Sequence, residues 1–174
     1  MSSVAKISLI LLLTGCASTE IMQVPLVPAN LSVPANQVLA LELDASGVQI
    51  YTCSESKPGQ FEWTFKAPEA DLFDHSGHRI GKHYAGPTWE GVDGSKVIAE
   101  VKSRNESPDQ NAIPWLLLKA KANEGQGLFS QVASIQRINT AAGKAPQEAC
   151  NHAKLGSIAR IDYRASYYFY TNKL

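Results

Sequence analysis

The most constraining feature of this sequence is an alternation of apolar and polar residues with a period of two. It is clearest in the run FEWTFK at residues 61–66, and similar runs occupy residues 39–43, 97–102 and 160–169. Successive side chains of a β-strand point to opposite faces, so this period predicts half-buried strands. In the last run we expect one inward face, formed by Ile161, Tyr163, Ala165, Tyr167 and Phe169.

Turn-forming residues separate these runs. Glycine, proline, aspartate and serine favour the backbone angles of tight turns. We therefore predict turns at residues 45–47, 57–59, 75–77 and 92–94. Residues 114–120 fit a strand or a helix, with their neighbours favouring a strand, and residues 146–154 are a candidate short helix. Many short strands between frequent turns predict an all-β fold, either an antiparallel sandwich or a barrel-like single domain.

Residues 1–15 predict a lipoprotein signal peptide. Lys6 supplies a positive charge, and the apolar stretch at 7–13 is too short to span a bilayer. Leu13-Thr14-Gly15-Cys16 resembles a bacterial lipobox, whose cysteine is lipidated and becomes the mature N-terminus. Because Ala17 stands where aspartate would signal inner-membrane retention, we expect a lipid anchor on Cys16 in the outer membrane, facing the periplasm or the cell surface. The alternative is a secreted protein with an incidental cysteine.

Three prolines, Pro25, Pro28 and Pro34, mark residues 16–36 as a tether that precedes a single β-rich domain at 37–174. A segment of this kind favours extended conformations of about 3.1 Å per residue, so it would reach roughly 60 Å. Its valines and leucines are unusual in a pure spacer. We therefore expect part of it to lie along the domain as an edge segment.

Cys53 and Cys150 remain once Cys16 is assigned to the lipid. A compartment outside the inner membrane permits disulfides, and the sequence has no Cys-x-x-Cys motif. We predict a Cys53–Cys150 disulfide, which closes a loop of about 100 residues and is worth about 4–5 kcal/mol in the chain-entropy model. A reactive thiol or a metal ligand is the alternative.

The charge balance excludes one class of partner. Sixteen Lys and Arg residues balance 16 Asp and Glu residues, whereas general nucleic-acid binding needs a cationic surface. We therefore expect no nucleic-acid partner. The sequence has no Gly-x-Ser-x-Gly motif, and the glycines at 125–130 do not form a dinucleotide fingerprint, so we expect no cofactor.

An ordered set of motifs runs through the predicted domain. It comprises GVQIYTC (47–53), PEADL (68–72), IGKHYAGPTWE (80–90), DGS (93–95), IPWLLL (113–118), IQR (135–137) and Cys150. The set resembles the family designated domain of unknown function 3455, which occurs in secreted bacterial and fungal proteins, and the resemblance covers about residues 36–170. It implies secretion and one compact domain. It implies no activity and no catalytic residue.

Potential metal ligands cluster between residues 74 and 95, namely His75, His78, His83, Glu90 and Asp93. Three histidines so close together are a possible metal-binding set. Strand parity opposes it, because His78 and His83 are an odd number of residues apart and point to opposite faces unless a bulge intervenes. The simpler interpretation is solvated turn residues and one hydrogen-bonded histidine. A weaker metal site of His83 with Glu90 or Asp93 is an alternative.

A second candidate cluster is aromatic. Tyr84, Trp89 and Trp115 belong to motifs that also carry carboxylates and amides, together with Arg137. Flat aromatic faces beside such groups suit sugar rings. The candidate binding residues are therefore His83, Tyr84, Trp89, Glu90 and Asp93. The competing interpretation is that Trp63, Trp89 and Trp115 are ordinary core residues.

These patterns leave three functions open. The leading hypothesis is a non-catalytic module that binds a cell-envelope glycan or another small polar ligand. The second is a metal-dependent periplasmic enzyme that uses His83 with Glu90 or Asp93. The third is a structural lipoprotein that contacts an envelope protein and no small ligand. A cleft with His83 and Trp89 on one wall favours the first, convergence of His83 with the carboxylates favours the second, and burial of Trp89 and Trp115 favours the third.

Overall fold

Eight antiparallel strands dominate the computed structural model, which describes residues 22–173; Cys16 and the predicted signal peptide lie outside that range. The strands are β1 (Gln37–Lys57), β2 (Gln60–Phe73), β3 (Arg79–Tyr84), β4 (Thr88–Gly91), β5 (Lys96–Asn105), β6 (Trp115–Glu124), β7 (Val132–Ala142) and β8 (Ile158–Asn172). Each strand pairs with the next, and β8 pairs back with β1 to close a barrel. The predicted all-β antiparallel fold is confirmed in its barrel form. Within residues 22–173, no helix is long and apolar enough to cross a membrane.

Alternation along the strands fills the barrel interior with apolar side chains. The main cluster includes Leu43, Leu72, Val97, Leu118, Ile135 and Phe169, each at most 2% exposed. On β8 the predicted inward face is confirmed: Tyr163 is buried between the exposed Asp162 and Arg164, and Ala165, Tyr167 and Phe169 continue the buried row. An eight-stranded barrel is just wide enough to be filled by side chains or to hold one small ligand. How each end is packed therefore decides what it can bind.

The predicted turn at residues 45–47 is wrong, because β1 continues through it and pairs there with both β2 and β8. Gly47 lies opposite Ala70, and a Cβ atom at Gly47 would collide with the Glu69 carbonyl. This glycine therefore marks a close approach of two strands rather than a turn. The other three predicted turns are confirmed, and the segment at 114–120 is a strand from Trp115 onward, as part of β6.

The predicted short helix at 146–154 is wrong for most of its length. Only His152–Lys154 are helical, and they form a 3-10 turn. Residues 146–151 are not helical. Cys150, which lies in this segment, forms a disulfide with Cys53, and the two Cα atoms are 5.5 Å apart. The predicted disulfide is thereby confirmed.

Residues 27–36, within the predicted tether, lie against the outside of the barrel; we call them the strap. Leu26, just before the strap, is 97% exposed. Leu31 is fully buried, and its carbonyl accepts a hydrogen bond of 2.7 Å from Gln136 Nε2. Val27 and Val33 pack on an outer apolar cluster that contains Ile138, Tyr168 and Tyr170. The strap therefore buries outward-facing aromatic residues that alternation alone would leave in solvent.

Candidate functional site

A cavity of about 260 Å³ opens beside the β3–β4 turn. β3 and β4 have six and four residues, so β2 and β5 extend past their ends and leave a gap in the barrel wall. Phe65 on β2 and Val101 on β5 line this gap and are 50% and 44% exposed. We call the cavity the window pocket.

The lining of the window pocket is mainly apolar and carries positive charge. Its apolar residues include Phe65, Ala67, Pro68, Ala85, Pro87, Val101, Leu116 and Leu118, and its aromatic residues inside the barrel are His83, Trp89 and Tyr167. Lys66 and Arg137 are its two cationic residues. Among the residues that line it, none is an aspartate or a glutamate.

His83 and Trp89 stack in the barrel interior, with ring centroids 4.3 Å apart. Tyr167 meets both rings edge-on. The Nδ1 atom of His83 lies 2.8 Å from the Thr88 carbonyl, which can only accept, so Nδ1 carries the proton. Burial lowers the pKa of His83 to about 3, with a partial offset from the Thr88 hydrogen bond and a further lowering by Arg137. His83 is therefore neutral at pH 7.

Among residues 22–173, several buried polar atoms in and beside the window pocket have no well-formed hydrogen bond. They are Gln49 Nε2, Trp89 Nε1, Arg137 Nε, Tyr163 OH and Tyr167 OH. Burial raises the pKa of Tyr167, and the charge of Arg137 and weak side-chain hydrogen bonding from Tyr163 and Arg137 only partly offset that rise, so its hydroxyl keeps its proton. Tyr163 has similar weak contacts with Tyr167 and Gln49. Buried polar groups in folded proteins are nearly always paired, so the Trp89 and Arg137 donors are the clearest exceptions in this region.

The β3–β4 hairpin divides the predicted binding residues between two faces. Its register places His83 opposite Trp89, inside the barrel, and Lys82 opposite Glu90, outside. Tyr84 also lies outside, and its hydroxyl donates a 2.7 Å hydrogen bond to Glu90 Oε2. This bond is the largest cause that raises the pKa of Tyr84 to about 12 and lowers the pKa of Glu90. Tyr84 and Glu90 thus form a surface pair away from the stacked rings.

Asp93 lies at the opposite end of the barrel, in the β4–β5 turn. Its Oδ1 accepts hydrogen bonds from Ser95 N and Oγ at 3.0 and 2.7 Å, and its Oδ2 accepts one from Leu128 N at 2.7 Å. These bonds lower the pKa of Asp93. Gly127 has φ 129°, and a Cβ atom there would collide with the Asp93 carboxylate. We call this arrangement the Asp93 clasp, because it joins two loops.

The residues of the alternative metal site do not converge. His83 is inside the barrel, Glu90 is on the outer surface, and Asp93 is in the clasp. Between residues 22 and 173, no three His, Cys, Asp or Glu side chains lie close enough to hold a metal ion. His75 and His78 are exposed at the β2–β3 connection. The described chain therefore supplies no complete metal-ligand set.

The other aromatic candidates lie apart from the window pocket. Trp115 packs in the outer cluster with the strap. The Nε1 atom of Trp63 donates to the Glu148 carbonyl at 2.8 Å, which attaches the segment before Cys150 to β2. Of the three tryptophans, Trp89 is the one that lines the pocket, although it is only 1% exposed.

Two residues of the pocket, Arg137 and Tyr167, were absent from the predicted binding set. In the sequence, Arg137 was noted in the IQR motif and beside the aromatic candidates, and Tyr167 was noted on the inward face of β8. Strand alternation could have identified Arg137. It follows the apolar Ile135 by two residues, so both side chains lie on the same face, and a cation on an inward face is unusual. The register then pairs Arg137 with Leu116 on β6 and with Tyr167 on β8.

Comparison with known protein families matches residues 34–171 to the family described as Protein of unknown function (DUF3455). The chain belongs to the DUF3455 family. This result confirms the resemblance inferred from the ordered motifs. The matched part of this DUF3455 protein begins in the strap and ends in β8, so it includes the whole window pocket. Searches of curated proteins and of solved structures found no match.

Proposed function

We propose that this DUF3455 protein is a non-catalytic envelope lipoprotein that binds a small ligand in the window pocket. The observation that supports this most directly is that the buried donors Trp89 Nε1 and Arg137 Nε have no acceptor among residues 22–173 and belong to residues that line an open apolar cavity. Ligand sites are typically apolar concavities with a few convergent polar groups, and the mouth of a β-barrel is a common location. Barrels of eight strands have room for one such molecule.

The dimensions favour a small ligand over an extended glycan. An apolar cavity of about 150 Å³ accepts a benzene ring, so about 260 Å³ suits a single ring or a short chain with a polar head group. An extended glycan would need an open aromatic surface. Trp89 is buried, and His83 covers one of its faces.

Binding is favoured over catalysis by the state of His83. Its Nδ1 is committed to the Thr88 carbonyl, and its depressed pKa keeps it neutral. A general base of this type is usually oriented by a carboxylate, and the lining of the pocket contains none. A purely structural lipoprotein remains the competing function, and it makes no use of the unpaired donors.

The envelope location is proposed from the lipobox at Leu13-Thr14-Gly15-Cys16 and agrees with the disulfide. The strap shortens the expected tether, because residues 27–36 lie on the barrel. Residues 16–26 link the lipidated cysteine to the strap, which is at most about 40 Å of extended chain. The barrel would then stay within that distance of the membrane surface.

Closing the window tests ligand binding. Val101→Trp places a large side chain at the rim of the pocket, and Val92→Trp makes the same change at an exposed residue near the other end. We expect one-ring and short-chain compounds to raise the melting temperature of the wild type and of Val92→Trp but not of Val101→Trp. If no compound in such a library shifts the wild type, or if both variants respond equally, the proposal is wrong.

Metabolic labelling with a radioactive fatty acid tests the anchor. We expect label in the wild-type protein and none in Cys16→Ser. Equal labelling of the two proteins would contradict the lipoprotein assignment and leave the ligand proposal unaffected.

A further inference from the structure

The charges of the window pocket define a ligand class, and this inference rests on the proposed binding function. Arg137 is the central group, because it lies inside the barrel between Leu116 and Tyr167. A guanidinium has five N–H donors. In the structure Arg137 donates one hydrogen bond, from Nη2 to the Pro114 carbonyl at 2.8 Å. Its Nε atom has no acceptor among residues 22–173, and its contact with the Tyr167 hydroxyl is weak.

Arg137 also has no counter-charge in the part of the chain that the structure describes. Across residues 22–173, no aspartate or glutamate forms an ion pair with it. The second charged residue of the pocket, Lys66, adds a further positive charge at the exposed rim. A cation beside apolar surface is costly unless it is paired. An anion in the pocket would remove that cost.

The field of Arg137 reaches the surrounding rings. It lowers the pKa of His83 and opposes the rise in the pKa of Tyr163 and Tyr167. Burial is the largest cause of all three shifts, and no carboxylate contributes to them.

The unpaired groups beside Arg137 match an anion in a second way. Trp89 Nε1 and Arg137 Nε are donors and cannot accept, and the Tyr167 hydroxyl retains a proton to donate. A ligand group that only accepts hydrogen bonds would satisfy them without leaving a donor of its own unpaired. Deprotonated carboxylates have this property, and their planar geometry fits a guanidinium.

We propose that the window pocket binds a small organic acid. Its carboxylate pairs with Arg137, and its ring or short alkyl chain lies against Pro87, Leu116 and Leu118. These apolar residues and Arg137 line the same cavity of about 260 Å³. A single compact molecule can therefore contact the apolar wall and the guanidinium at once. The rim charge of Lys66 would favour approach of the anion.

Isothermal titration calorimetry with matched probes tests the charge requirement. The probes are phenylacetate, its neutral analogue phenylacetamide, the cation phenethylamine and inorganic phosphate; octanoate and octanamide repeat the comparison with an alkyl chain. At pH 7 we expect at least one of the two carboxylates to bind the wild-type protein at least tenfold more tightly than its amide. Phenethylamine and phosphate are expected to bind more weakly than that carboxylate.

Substitution of the arginine assigns the preference to one residue. In Arg137→Gln we expect the carboxylate-to-amide affinity ratio to fall to about one. Arg164→Gln removes a guanidinium from the exposed face of β8 and is expected to keep the wild-type ratio. Arg137→Lys keeps the charge but loses the planar pairing, and its ratio should lie between those of the wild type and Arg137→Gln. It also provides a second test if Arg137→Gln fails to fold.

The possible failures are distinguishable. Equal affinity for carboxylate and amide would overturn the organic-acid assignment and leave small-ligand binding standing. Phosphate that binds as tightly as both carboxylates would overturn the role of the apolar wall. Absence of binding by all probes would overturn the organic-acid assignment, and the proposed function would also fall if the Val101→Trp screen showed no response.

Discussion

The two ends of the barrel differ in whether their polar groups have hydrogen-bond partners. In the Asp93 clasp, both carboxylate oxygens accept hydrogen bonds from neighbouring loops. In the window pocket, the buried donors Trp89 Nε1 and Arg137 Nε have no acceptor among residues 22–173. Both ends belong to one antiparallel sheet, so the difference does not come from fold class. The clasp end satisfies its own carboxylate, and the ligand proposed for the window pocket would supply the acceptors that its donors lack.

Loop packing explains why the ends differ. At the clasp end, Phe129 N donates to Ser95 Oγ at 3.0 Å, and the Phe129 ring is fully buried against Phe169. That ring plugs the barrel. At the window end, the short β3–β4 hairpin leaves the wall open, and no comparable side chain of residues 22–173 fills the cavity. The plug supports a structural role for one end and a binding role for the other.

The largest expected effect is on the disulfide, which lies on the window side of the barrel. Replacing Cys53 and Cys150 with alanine should lower the free energy of unfolding by about 4–5 kcal/mol, because the bond joins residues 97 positions apart. Urea denaturation of the oxidised wild type and of the double variant measures this. A difference below about 1 kcal/mol would show that the window end is held by packing alone.

Acid should reveal the buried histidine of the window end. His83 has a pKa of about 3 when folded and 6.5 as its ordinary value. Between these values the unfolded chain binds one more proton, so the free energy of unfolding falls as the pH is lowered, by about 1.4 kcal/mol per pH unit. From pH 6 to pH 4 the wild type should therefore lose about 2–3 kcal/mol more than His83→Gln.

Urea denaturation at a series of pH values measures this difference. The pKa of Asp93 is lowered from an ordinary value of 3.8, so the stability it contributes is lost only at lower pH. The two ends should therefore weaken in different pH ranges. If the free energy of unfolding falls equally in the wild type and in His83→Gln between pH 6 and pH 4, the loss in that range does not come from His83.

Asp93→Asn tests the clasp. The substitution turns an amide N–H₂ toward a backbone donor, either Leu128 N or Ser95 N, and should cost about 1–2 kcal/mol of unfolding free energy. Asp109→Asn is the matched control, because Asp109 accepts one backbone hydrogen bond, from Asn111 N, which asparagine can keep. Carboxylate binding by the folded protein should be unchanged in both variants. A loss of binding in Asp93→Asn alone would break the division between the two ends.

The smallest expected effect on stability is that of Arg137→Gln. It removes an unpaired cation and one hydrogen bond to Pro114, and these opposing terms should leave the free energy of unfolding within about 1 kcal/mol of the wild type. Chemical denaturation without added ligand measures it. A loss of 2 kcal/mol or more would show that Arg137 supports the fold as Asp93 does.

How much of this structure was predictable depends on the range of the interactions concerned. Alternation in residues 61–66 and 160–169 identified strands, and Pro58-Gly59 identified a turn, because these patterns act between near neighbours. Gly47 was misinterpreted as a turn for the same reason. Its role depends on the Glu69 backbone, which comes close only after β1 and β2 have paired.

The sequence by itself therefore determined the all-β class, the inward face of β8, the family and the pair of cysteines that forms the disulfide. The tertiary structure alone decided that the sheet closes, that residues 27–36 lie on its outer face and that Tyr84 and Glu90 are separated from His83 and Trp89. It also brought Arg137 and Tyr167 into one pocket with His83 of β3 and Trp89 of β4. Parity shows on which face a side chain lies, but barrel closure decides which strands stand opposite one another across the interior.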